Sequence, residues 1–146
     1  MNISELYNKA LTEFFNNNLN KTVSFLNDLL LHEANNTKLL NALAVTLFFI
    51  SNKSFQKDNL KKVIINKSLD LINKTIEQEK DNYLLYFNRA NILLELKENE
   101  KAYFDFKKTI ELSCFKKNVN DYFFIGKTEL DLNRTKKLIL SRTYEF

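Results

Sequence analysis

Residues 81–114 read DNYLLYFNRANILLELKENEKAYFDFKKTIELSC. Two helical patterns sit back to back in this stretch. In the first, Tyr83, Tyr86, Ala90, Leu93, Leu94 and Leu96 recur at spacings of three and four, the apolar stripe of an amphipathic helix. In the second, Ala102, Tyr103, Phe106, Thr109, Ile110 and Leu112 repeat that period. Between them Lys97-Glu98-Asn99 breaks the apolar pattern, with Asn99 as the expected N-cap and Glu100 against the positive end of the next helix. So short a connection predicts an antiparallel helix hairpin.

Small residues punctuate the pattern. Ala90 and Ala102 each have bulky neighbours one turn away, so two helix backbones can approach closely at those points. A single hairpin cannot bury its apolar faces alone, and further copies are expected. They are present: Ala10 in LYNKALTEFF, Ala44 in LNALAVTLFF, Ala90 in YFNRANILLE and Gly126 in YFFIGKTELD, at separations of 34, 46 and 36 residues.

This pattern resembles the tetratricopeptide repeat (TPR), a helix–turn–helix unit of about 34 residues. The match is best at residues 81–114, where Tyr86 precedes Ala90 by four, Ala102 follows by twelve, and Phe106 and Thr109-Ile110 complete the second helix. The resemblance implies an all-α, right-handed α-solenoid of about four helix hairpins in a single domain spanning residues 1–146. The expected units are 3–36, 37–82 with an insertion at 51–62, 83–116 and 119–146. The protein has no Pro and one Gly, so Asn-rich stretches such as Ala34-Asn35-Asn36 are expected to make the turns.

Composition agrees with a helical protein. The 146 residues are 45% hydrophobic and 27% charged, enough for a sizeable core, and the lack of turn formers argues against a β-rich fold. One Cys excludes an internal disulfide and Cys-based zinc sites. MNISELYNKA carries no basic region followed by an apolar one, and Leu39–Ile50 falls short of the roughly 20 residues of a membrane span. A cytoplasmic protein without membrane association is expected. The net charge of +4 is spread over separated lysine pairs and reads as a solvated surface, so nucleic acid is not an expected partner.

In sequence order, helices are expected at 3–16, 20–33, 37–50, 59–78, 83–96, 100–112, 121–132 and 134–146. His32 falls near the end of the second helix and reads as a surface residue. The helix from Thr37 is apolar on nearly every side, as in a helix buried in mid-array or one presenting an apolar groove. The twelve-residue excess falls at Ser51–Asp58, read as a polar loop, and at the start of the helix over 59–78, where Leu60, Val63 and Ile64 keep the apolar phase. That helix is expected to overrun its partner by about two turns at its N-terminal end. The last helix ends in Leu138, Ile139, Leu140, Tyr144 and Phe146, a surface that a second copy of the protein could cover.

No catalytic constellation is visible: one His, one Cys and one Gly leave no material for a nucleophile dyad or a phosphate loop. Neither an enzyme, a cofactor nor a metal is expected. In the TPR family the first helices line a concave groove. That resemblance implies groove positions Tyr7, Leu11 and Phe14; Asn41, Val45 and Phe48; Leu84, Phe87, Asn91 and Leu94; and Phe123, Lys127 and Leu130. Such a surface suits an extended or helical segment of another protein, with apolar anchors and side-chain amides on its backbone. A family subset clamps acidic chaperone C-termini with positive charges; the matching positions here, Tyr7, Leu11, Leu84 and Asn88, have none, so that activity is not expected. The expected function is a protein-interaction scaffold. The alternatives are an RNA-binding helical repeat and a self-associating structural module.

Overall fold

The computed structural model describes residues 2–53 and 58–113, together with Tyr122, Phe123, Ile125 and Lys137. Six helices follow one another: α1 (Ile3–Phe15), α2 (Leu19–His32), α3 (Thr37–Ser51), α4 (Asp58–Gln78), α5 (Tyr83–Glu95) and α6 (Asn99–Ser113). No strand occurs among the described residues. Each helix packs on the next in sequence, giving three hairpins, and α3 also touches α5. The fold is an all-α, TPR-like stack of helix hairpins. The fourth hairpin expected from the sequence lies almost wholly outside the described residues.

Local chemistry fixes the boundaries. Each first helix of a hairpin starts at an Asn. The Asn2, Asn36 and Asn82 side chains accept from Glu5, Leu39 and Leu84 N–H at 2.8, 3.2 and 3.1 Å, satisfying donors that have no partner inside the helix. The ends of α1 and α5 are alike too. Asn17 and Lys97 take the left-handed conformation with φ of 63° and 60°. Around them, Asn18 N–H donates to Glu13 C=O at 2.8 Å and Glu98 N–H to Leu93 C=O at 2.9 Å, the six-to-one closure of a Schellman turn. Asn suits this conformation; Lys, with its Cβ, does not. The closure uses only Leu96–Glu98, so α6 starts at Asn99 and not after it. The residue read as a cap is the first residue of the helix.

The small residues behave as their spacing requires. Ala10, Ala44, Ala90 and Ala102 are fully buried. Thr22 Oγ1 reaches Ala10 C=O at 3.5 Å, and Ser68 Oγ donates to Ala44 C=O at 2.6 Å. Thr22, Ser68 and Ala102 therefore occupy one structural position on the second helix of each hairpin. Thr22 and Ala102 follow their alanines by twelve residues and Ser68 follows Ala44 by twenty-four, which puts the excess between α3 and the body of α4. It lengthens α4 to 21 residues, against 14 in α2 and 15 in α6.

Two expectations for this region change. Ser51 is not in the loop: it ends α3, buried, with its hydroxyl donating to Phe48 C=O at 2.6 Å. Leu60 and Val63 keep the helical phase but are 50% and 66% exposed, because the overhang runs past the helices that would cover them. The buried stripe of α4 is Ile65, Ser68, Ile72, Thr75 and Ile76. By contrast, every residue of α3 from Leu39 to Thr46 is buried, since α2, α4 and α5 close on it from three sides.

Candidate partner-binding groove

α1, α3 and α5 share one face of the stack, where Phe123 meets side chains of all three. Two amides stand on it, Asn41 inside the apolar run LLNALAV and Asn88 directly after the apolar run Leu84–Phe87, and both are fully buried. Asn88 Nδ2 donates to Asn41 Oδ1 at 2.8 Å, joining α3 to α5. A buried amide left without partners costs about 1–3 kcal/mol, so the remaining capacity of this pair needs filling.

Residues from far along the sequence fill it. Tyr122, Phe123 and Ile125 lie against this face, outside any helix. Phe123 C=O accepts from Asn41 Nδ2 at 2.7 Å and from Asn88 Nδ2 at 3.0 Å. Ile125 N–H donates to Asn88 Oδ1 at 2.9 Å. One side-chain amide thus pairs with C=O of residue i and N–H of residue i+2, the two bonds that a residue of a parallel strand would make. A helical segment cannot present these groups, because its own ladder uses both.

The side chains add grip. Phe123 is 3% exposed, its ring 4.8 Å from Phe14 and 5.7 Å from Tyr7, both on α1. Phe14 also meets Phe49 of α3 edge-on at 5.5 Å, and Lys38 Nζ stands 5.4 Å from the Tyr7 ring centroid. Ile125 is also buried. Tyr122 Oη donates to Glu79 Oε2 at 2.6 Å and lies 3.5 Å from Thr37 Oγ1. Burial, and then the Glu79 carboxylate, push the Tyr122 phenol above its ordinary value.

The groove positions named from the sequence are distributed as follows. Tyr7, Phe14 and Asn41 surround Phe123. Leu11, half-buried, packs on the core, and Val45, Phe48 and Leu84 are buried within the stack. Phe87 meets Phe106 of α6 at 5.9 Å, within its own hairpin. Asn91 donates to Phe87 C=O at 3.0 Å on its own helix, and Leu94 is 44% exposed. Lys127 and Leu130 lie outside the described residues. Sequence reasoning missed Asn88 as a bonding group, noting it only as a place without positive charge. The available signal was an amide directly after the apolar run Leu84–Phe87. It also expected residues 121–132 to be helical with Phe123 in the groove wall. Tyr122, Phe123 and Ile125 are not helical, because Asn88 takes the backbone groups that a helix would need.

A second polar cluster lies one residue away on α5. Arg89 Nε and Nη2 hold both Asp105 oxygens at 2.7 and 2.8 Å, and Nη1 donates to Asn73 Oδ1 at 3.1 Å. The guanidinium rests 5.5 Å from the Tyr86 ring centroid. Arg89, Asp105 and Asn73 line a cleft of about 360 Å³ with Leu69 and Phe104. Every polar atom of the guanidinium is matched by α4 or α6, so this cluster is a joint of the scaffold. His32 is exposed at the end of α2. Among the described residues no helix is long and apolar enough to cross a membrane.

The sequence matches no family model and no curated protein. The fold is similar to that of the Yersinia enterocolitica type III secretion translocator chaperone SycD, with a TM-score of 0.67 over 95% of this protein and 88% of that one, at 11% sequence identity.

Proposed function

We propose that residues 1–146 form one TPR-like interaction domain that holds a non-helical segment of another protein against the face built by α1, α3 and α5. The observation that carries this is the Asn41–Asn88 amide pair, which meets backbone C=O and N–H groups two residues apart. Such pairing reads backbone, and so tolerates varied sequence; Tyr7 and Phe14 then select an aromatic anchor. A partner protein is in keeping with the similar fold of a secretion translocator chaperone. Of the positions named from the sequence, Tyr7, Phe14 and Asn41 are those we assign to contact with the partner, and Asn88 joins them. No cofactor enters this role.

Random peptides displayed on phage test the reading. Binders should be enriched in an aromatic residue followed two positions later by an aliphatic one. In Phe123→Ala, whose own segment no longer fills the aromatic site, their affinity should fall about tenfold when Asn88→Ala is added, the equivalent of one hydrogen bond of roughly 1.4 kcal/mol. Binders that hold equally well to both variants would place recognition elsewhere.

A further inference from the structure

The groove already has an occupant. We infer that Tyr122, Phe123 and Ile125 form an internal ligand that competes with the partner, and that the partner's segment carries the same pattern: an aromatic residue, then an aliphatic one two positions on. This rests on the groove reading above and adds a regulatory step to it, since the internal ligand must leave before a partner can enter.

Three observations support it. The polar contacts between this segment and the face go mainly to backbone atoms of the segment, so any peptide offering C=O and N–H at the same interval can replace them. The anchors enter from the segment's side: Phe123 fills the space between Tyr7 and Phe14, and Ile125 is 6% exposed. Among the described residues the outer hold is the Tyr122 phenol, on Glu79 and Thr37, at the mouth formed by the end of α4 and the start of α3. A tethered ligand competes at an effective concentration on the order of millimolar, which lowers the apparent affinity of an added ligand. Water can replace the segment on the two amides while the groove is empty, so its departure leaves no buried amide unpaired.

The test uses the full-length protein and, as probe, a fluorescent synthetic peptide with the sequence of residues 119–128, VNDYFFIGKT. Phe123→Ala, which empties the aromatic site, should bind the peptide at least tenfold more tightly than wild type. Adding Asn88→Ala to that variant should abolish the gain. Phe123 is buried and its removal could unsettle the fold, so a second measurement uses wild type alone. Hydrogen exchange at the Ile125 amide should be slow in the free protein and fast when the unlabelled peptide saturates it. Equal affinity of wild type and a folded Phe123→Ala overturns the inference, as does an Ile125 amide still protected with peptide bound. Displayed peptides that need Asn88 yet leave Ile125 protected would overturn the internal ligand and keep the groove. Failure of both displayed peptides and this probe to bind would remove both readings.

Discussion

Asn88 and Arg89 are neighbours on one helix and serve opposite ends. Arg89 points into the joint between α4, α5 and α6, where Asp105 and Asn73 satisfy it with side chains of the scaffold itself. Asn88 points to the face shared by α1, α3 and α5, where its partners beyond Asn41 are backbone atoms of residues 123 and 125. Both clusters are hydrogen-bonded, the first partly buried and the second fully so. The difference lies in who supplies the partners. A polar group matched by fixed side chains of adjacent helices reads as architecture. One matched by the backbone of a segment that could be exchanged reads as a binding surface.

The comparison breaks most sharply under mutation. Arg89→Ala would strand the Asp105 carboxylate, 7% exposed, in the joint. Losing one member of a buried pair costs about 3–5 kcal/mol, and the partial exposure of Arg89 argues for the lower end, roughly 3 kcal/mol, read by urea unfolding. Asn88→Ala should lower stability by about 1–2 kcal/mol, because water can reach the atoms it abandons. Exchange should quicken at Ile125 and not in the body of α5. A stability loss for Asn88→Ala as large as that for Arg89→Ala would erase the distinction drawn here.

Lys97→Gly sharpens it from outside both clusters. It relieves a left-handed Lys at φ 60° without touching either, and should stabilise by about 1 kcal/mol while leaving peptide affinity unchanged. The smallest effect is one of pH. Tyr86, beside Arg89, and Tyr122, in the groove, both titrate above the ordinary 10.0, each chiefly because burial disfavours the phenolate. The folded state therefore holds these protons more tightly than the unfolded state. Their contribution is intact below pH 10 and fades as pH rises through the raised values. Absorbance at the phenolate band, followed alongside Ile125 exchange, should show the segment loosening as Tyr122 ionises. Release of the segment well below pH 10 would argue against the phenol as its outer hold.

Much of the stack was legible because it depends on what a residue excludes. Ala10, Ala44 and Ala90 mark close backbone approaches; their spacing put the excess between Ala44 and Ala90, and the polar stretch at Ser51–Asp58 narrowed it to the turn between α3 and α4. Periodicity reports a face, though, and not whether a neighbour reaches it. Leu60 and Val63 keep perfect phase and lie in solvent because the overhang passes its neighbours. For the same reason Phe123 read as wall rather than occupant. An aromatic at a repeat position carries no mark of whether its own backbone will be helical, and that was decided by an amide 35 residues earlier. Asn88 itself was obscured because an amide at the edge of an apolar run, beside Arg89, declares a need for partners without naming them.

The Asn41–Asn88 bond also has a mechanical consequence. A stack of hairpins flexes like a spring, by spreading or closing its inner rim, and this 2.8 Å bond ties α3 to α5 across that rim. Force that straightens the stack would load it first. Phe123 C=O is held by both amides at once, so its segment acts as a second strut across the same gap. Loss of that contact would lower the stiffness of the stack across α3 and α5, without any helix unfolding.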